Sequence, residues 1–321
     1  MNLENIAMML NSANTILIFP HIQMDGDAMG SAAALCGVLR KEGKRADILI
    51  EDKIPENLKF LNKDYCRQEA ETVEPDVCIA LDCSDPERVG KRFDIFKTGK
   101  KTAMIDHHTT ALAFAETNYI DINASATGEI VMKLIKAMNL SIGSETAEEL
   151  FAAIVTDTGR FMYSNTSGAT HIAAAELYET GMDHNRVAIE IYQKKRIEKV
   201  RLMNAIMSTM EIFAEGKGII AVMLKQMLDE TGAYSEETEG MVEELRSIEG
   251  VEIAVFLKEE KDGVKVTMRS KTFADVSAIA ASFGGGGHKK AAGCTINSGI
   301  DDVKALITEA VKSELNRQES Y

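Results

Sequence analysis

TILIFPHIQMDGDAMGS, residues 15–31, holds the transition on which the fold turns. Its first six residues are a short apolar run closed by proline, the pattern of a buried strand. His21, Asp25 and Asp27 follow at once, and from Gly30 the chain is small and apolar at helical spacing to residue 42. A buried strand that runs out into polar residues and then into a helix is the opening of a βα unit. In an open α/β sheet, ligands bind at the carboxyl ends of strands. Three further strand or helix ends deliver similar residues: Asp82 in IALDCSD, Asp106-His107-His108 in AMIDHH, and Asp157 in AIVTDTGRF. The simplest common destination is one metal site.

Outward from this stretch, short apolar runs predict strands at 15–20, 46–51, 77–83, 102–106 and 115–120. Helical periodicity covers 30–42, 128–138 and 146–156. The alternation predicts an α/β fold with a doubly wound, mostly parallel sheet. Residues 185–214 read as one long charged helix, ending the first domain and running into a connector. A second, smaller α/β unit then follows: a strand at 219–224, a helix pair, strands at 251–259 and 264–270, a helix, a glycine run at 284–287 and a last helix at 301–316. Lys261-Asp262-Gly263 between two alternating runs is a hairpin signal. The expected division is a catalytic domain at 1–190, a helical connector at 191–216 and a substrate-binding domain at 217–321. A length of 321 residues favours two domains.

Composition narrows the class. The chain is 45% hydrophobic and 27% charged, and no apolar run reaches the ~18 residues of a spanning helix. MNLENIAMML lacks the basic and apolar regions of a signal peptide, so the expected compartment is the cytoplasm, with no membrane partner. Five dispersed cysteines without a C-x-x-C pair argue against a disulfide framework and a zinc knuckle; Cys78 and Cys83 read as small core residues. A net charge of −14 disfavours coating of long duplex nucleic acid, though not a small anionic substrate in a locally cationic or metal-bearing pocket.

Hard divalent cations take oxygen ligands, and imidazole tilts the choice toward a transition metal. His21, Asp25, Asp27, Asp82, His107 and Asp157 offer four carboxylates, a charge matched by two divalent ions. Two such ions about 3.5–4 Å apart, bridged by one carboxylate, suit phosphoryl chemistry. Mn²⁺ fits the mixed donors, with Mg²⁺ or Co²⁺ as alternatives. Taken singly, these residues have structural readings. An Asp at a strand end is usually a helix N-cap, as Asp85 is read to be and as Asp27 alone could be. Asp121 and His171 lack a spacing partner and are read as structural. The set is different, because every member falls at the same edge of the sheet.

The motifs HIQMDGDAMGS, LDCSD, DHH and TDTGRF resemble motifs I to IV of the DHH phosphoesterase superfamily, which includes RecJ exonucleases, family II inorganic pyrophosphatases and NrnA-type nanoRNases. Arg269-Ser270 and GGGGHKKAAG at 284–293 resemble the DHHA1 domain. The compact two-domain length is similar to the NrnA group, bifunctional oligoribonucleases and 3′-phosphoadenosine 5′-phosphate phosphatases. The resemblance implies that His21 and Asp25 hold one metal, that Asp27, His107 and Asp157 hold the second, and that Asp82 bridges them. It implies that Asp106 orients His107 and that His108 faces the scissile phosphate. Arg269, Ser270, Gly286, Gly287 and His288 would grip the substrate from the second domain, with the active site in the cleft between the two. Glycine backbone can approach an anion closely, and an Arg fork suits phosphate. Arg160 and Asn165 would line the cleft. The expected substrate is short single-stranded RNA or a nucleotide. Cyclic-di-AMP or pApA hydrolysis and a non-catalytic nucleotide sensor are the competing readings; homodimer assembly stays open.

Overall fold

β1 (Thr15–Pro20) lies inside a six-stranded sheet with β2 (Arg45–Leu49), β3 (Cys66–Arg67), β4 (Val77–Leu81), β5 (Lys101–Asp106) and β6 (Thr117–Ile120). The order is β3-β2-β1-β4-β5-β6, and all five pairings are parallel. Parallel strands must be covered on both faces, and the side chains divide accordingly. Leu17, Phe19, Cys78, Ala80 and Met104 pack with Phe96 on one face. Ile16, Ile18, Ile79, Leu81 and Ile105 join the larger core on the other. The strand order reverses between β1 and β4, the place where such sheets open a crevice at their carboxyl ends.

This computed structural model describes residues 3–70 and 74–318. The chain divides into two units, Met1–Lys194 and Lys195–Tyr321. In the first, the helix after β1 is Gly26–Lys41, four residues earlier than its apolar period indicates. Asp25 is its N-cap, accepting from the backbone N–H of Asp27 and Ala28. This helix packs on Ser144–Asp157, and a Cβ at Gly30 would stand 2.5 Å from Glu149 O and 2.9 Å from Ala153 N. Only glycine permits that approach.

The single long helix expected through 185–214 is instead two helices, His184–Tyr192 and Ile197–Met207. Gln-Lys-Lys-Arg at 193–196 offers no apolar residue to continue the buried stripe. Arg196 turns extended, lies over the Tyr234 ring and pairs with Glu237 at 3.0 Å. Leu202 and Ile206 of the following helix are buried against the second unit's own core.

That unit carries a second six-stranded sheet: β7 (Glu211–Phe213), β8 (Gly218–Met223), β9 (Ile253–Glu260), β10 (Gly263–Ser270), β11 (Gly286–His288) and β12 (Ala291–Ile296), in the order β11-β12-β10-β9-β8-β7. β8 and β9 are parallel, joined through helices Gln226–Thr231 and Met241–Ser247. β9 and β10 form the expected hairpin, with Glu260 opposite Gly263 across a two-residue turn. Val303, Ile307, Val311 and Leu315, four apart along Ile300–Gln318, seal one face. The glycine run is not only a loop. Gly286–His288 pairs with β12, and a Cβ on Gly287 would meet Ala291 O at 2.5 Å.

Candidate metal centre

The carboxyl ends of β1, β4 and β5 are neighbours, so the residues that follow them converge: His21, Asp82 and His107. The helix Gly26–Lys41 adds Asp25 and Asp27 at its first turn, and Asp157 is the last residue of Ser144–Asp157. Among the described residues, two triads form with donor atoms within 4.8 Å of one another: His21, Asp25 and Asp82; and Asp27, His107 and Asp157. A third, Asp82, His107 and His108, overlaps them.

Asp82 is common ground. Its Oδ2 lies 3.6 Å from His21 Nε2, and its Oδ1 lies 3.7 Å from His107 Nε2. The residue is buried and its backbone is left-handed, φ +60°, which turns the side chain out of the line of β4. A left-handed non-glycine residue points to function when its surroundings hold it there. His21 Nε2 also faces Asp25 Oδ2 at 3.5 Å. His107 Nε2 faces Asp27 Oδ2 at 3.8 Å and Asp157 Oδ2 at 3.7 Å.

These separations are too long for hydrogen bonds. His21 Nε2 and His107 Nε2 are both buried without a hydrogen-bond partner among the described residues. Buried polar atoms are almost always satisfied, so two orphaned imidazole nitrogens, each aimed into carboxylates of its own triad, call for cations at those triads. The opposite nitrogens are anchored: His21 Nδ1 is 2.7 Å from Ile22 O, and His107 Nδ1 is 3.2 Å from Ala124 O. Metal-binding histidines are held in this way. The donor set fits divalent metal.

The electrostatics agree. Burial, then the charges of Asp82 and Asp157, pushes Asp27 well above the ordinary carboxylate range. Burial and Asp25 raise Asp82. Burial, with Asp82, raises Asp157 to about 6 against the opposing pull of His107. The chain has gathered carboxylates that repel one another, and bound cations would relieve that repulsion.

Asp106 departs from expectation. It was expected to orient His107, but its Oδ1 is 2.8 Å from His108 Nδ1 and accepts the His108 backbone N–H at 2.6 Å. The geometry at the end of β5 explains this: an acceptor two residues back closes a local turn onto His108, while His107 turns toward Ala124. The Asp106 hydrogen bond raises His108 to about 9. Cys83 is fully buried, and burial pushes its thiol well up, as suits a core residue. Asp85 caps its helix, accepting from Arg88 N.

Arg160 and Asn165 lie just beyond Asp157. Gly159, Arg160 and Phe161 are consecutive left-handed residues, and the exposed Arg160 guanidinium sits 5.0 Å over the Tyr192 ring. Asn165 Nδ2 donates to Asp157 Oδ2 at 3.1 Å and to Ser125 O at 3.0 Å.

In the second unit, Arg269 on β10 donates from Nε to Glu243 Oε1 at 2.9 Å. Gly286, Gly287 and His288 are exposed on edge strand β11. Ser270 corrects its expected role as a donor to substrate. It is buried, and its hydroxyl donates to Ala274 O at 2.8 Å, which fixes the turn after β10.

The motif reading missed the segment 124–128. Thr127 Oγ1 donates to Asp82 Oδ1 at 2.9 Å. Thr127 N and Gly128 N donate to Asp27 Oδ2 and Oδ1 at 2.6 and 2.9 Å. A Ser-Ala-Thr-Gly stretch between the β6 run and a helix was the available signal.

Residues 15–156 match the DHH family, N-terminal domain, and residues 215–316 match the DHHA1 domain. The chain is 32% identical over 306 residues to the bifunctional oligoribonuclease and PAP phosphatase NrnA of Thermus thermophilus, covering 94% of this chain and 90% of that protein. It is 29% identical to the protein of the same name from Bacillus subtilis, covering 89% and 90% respectively. An exopolyphosphatase-related protein from Bacteroides fragilis has the same fold at a TM-score of 0.91 with 25% identity, over 97% of this chain and 95% of that one. No helix among the described residues is long and apolar enough to cross a membrane.

Proposed function

The chain belongs to the DHH family and is a phosphoesterase, and on that premise we propose that it hydrolyses short oligoribonucleotides to nucleoside monophosphates and 3′-phosphoadenosine 5′-phosphate to AMP. The observation that carries the reading is Asp82. One carboxylate presents a different oxygen to each of two buried imidazole nitrogens, His21 Nε2 and His107 Nε2, that have no hydrogen-bond partner among the described residues. The relatives that span nearly all of this chain bear both activities in their names.

His21 and Asp25 would hold one divalent cation, Asp27, His107 and Asp157 a second, with Asp82 shared; Mn²⁺ suits this mixture of imidazole and carboxylate. When bound, such a pair supplies an activated water and neutralises charge on the phosphoryl group. The protein's own part follows from its geometry. Asp106 holds His108 Nδ1 and favours the protonated ring, which leaves Nε2 to donate to a non-bridging phosphoryl oxygen. We assign Arg269, Gly286, Gly287 and His288 to the anionic end of the substrate. Ser270 keeps their turn in shape.

The test is a side-by-side turnover assay with Mn²⁺ on a 5′-phosphorylated diribonucleotide, a 24-mer RNA, 3′-phosphoadenosine 5′-phosphate, cyclic-di-AMP and pyrophosphate. Preference for the dinucleotide, with activity on the bisphosphate, is expected. Preference for cyclic-di-AMP would replace this substrate assignment, and preference for the 24-mer would overturn the short-substrate reading.

A further inference from the structure

We infer that Thr127 is a positioning residue for the metal centre and that segment 124–128 is the bracket in which the ligands are aligned; this rests on the two-cation reading above. Helix Thr127–Ala137 begins with Ala126 as N-cap, which has no side chain able to satisfy the first backbone donors. Asp27, a hundred residues earlier in the chain, does so instead. Thr127 N reaches its Oδ2 and Gly128 N its Oδ1. Ser31 Oγ adds a third bond to Oδ1 at 3.0 Å. The plane of the Asp27 carboxylate is therefore fixed by three donors from two helices.

The same residue holds a second ligand through a different group. Thr127 is fully buried, and its hydroxyl donates to Asp82 Oδ1. The terminal torsion of an Asp side chain is broad and close to two-fold, so it selects no plane by itself. The hydroxyl selects one, in which Oδ2 faces His21 and Oδ1 faces His107. Neighbouring carbonyls complete the bracket. Ala124 O anchors His107 Nδ1, and Ser125 O anchors Asn165, which in turn bonds Asp157 Oδ2. Four residues within segment 124–128 thus reference four candidate ligands drawn from four separate elements.

Thr127→Val separates alignment from folding. Valine keeps the branched shape and the backbone N–H to Asp27 and removes only the hydroxyl. Titration of full-length protein with Mn²⁺ by calorimetry should show affinity weakened about 10–100-fold, the usual cost of losing a group that orients a ligand. kcat should fall with KM for substrate little changed, Tm in EDTA should stay near wild type, and Thr127→Ser should restore Mn²⁺ affinity. If valine cannot be accommodated, Thr127→Ala must show the same loss of affinity. A Val or Ala variant with a wild-type Mn²⁺ isotherm overturns the positioning role alone. A loss of Tm in EDTA that serine does not rescue reduces Thr127 to a packing residue and also overturns it. Wild-type protein that takes up no Mn²⁺ overturns the metal centre, and this inference with it.

Discussion

Asp106 Oδ1 accepts both the backbone N–H and the ring Nδ1 of His108, at 2.6 and 2.8 Å, so a single buried oxygen sets the position and the charge of the imidazole beside the candidate centre. His108→Ala should therefore lower kcat about 10²–10³-fold, the scale of losing one donor to developing charge, with little change in KM. Steady-state kinetics on a phosphorylated dinucleotide decides the matter. A wild-type kcat would remove His108 from the chemistry.

Asp82→Ala should abolish turnover and reduce bound Mn²⁺ per chain, since one residue serves both triads. Elemental analysis alongside the assay is the check. Turnover retained in saturating metal would show that the shared assignment is mistaken.

Arg269 is held by Glu243 rather than free, so its fork is already oriented. Arg269→Ala should raise KM for phosphate-terminated substrates about tenfold with kcat largely kept, as expected for loss of a charge-assisted contact. The same change with an unaltered KM would place substrate recognition elsewhere.

Glu149 lies outside this chemistry but carries a pH dependence. It is buried between helices Gly26–Lys41 and Ser144–Asp157, 3.1 Å from Lys63, and burial outweighs that partner and raises it to about 7. Between about pH 4.5 and 7 the unfolded chain has lost this proton while the folded chain keeps it. Stability therefore falls as pH rises through that window, by at most roughly 3 kcal/mol from this group. Urea melts at pH 5 and pH 8 should show a shallower decline for Glu149→Gln than for wild type. Equal declines would mean that Glu149 does not contribute.

The parallel sheet was legible because its central strands are short apolar runs followed at once by a polar residue, as TILIFP is by His21 and VCIAL by Asp82. The ligand candidates were legible because their residue types are costly to bury for any other reason. Their alignment was not. Thr127 and Gly128 contact Asp27 across a hundred residues of chain, so SATGE marks a helix start without naming its distant partner. The helix start at Gly26 was missed because periodicity counts apolar residues, whereas the start is fixed by the Asp25 carboxylate. Asp106 orients His108 and not the adjacent His107, since a place one residue from one histidine and two from the other does not say which ring turns back.

The left-handed backbone of Asp82 and the crowding of Asp27, Asp82 and Asp157 have a consequence for anyone who engineers this protein. Each lowers the stability of the cation-free fold, so a substitution such as Asp82→Asn, which keeps an oxygen for the Thr127 hydroxyl, tolerates left-handed backbone and removes a crowded charge, belongs to the changes that strengthen it most readily. A selection for heat resistance alone would drain the centre first and leave a hardier, inert scaffold, whereas one carried out with turnover as a second criterion would have to find its gains in the helices behind the sheet.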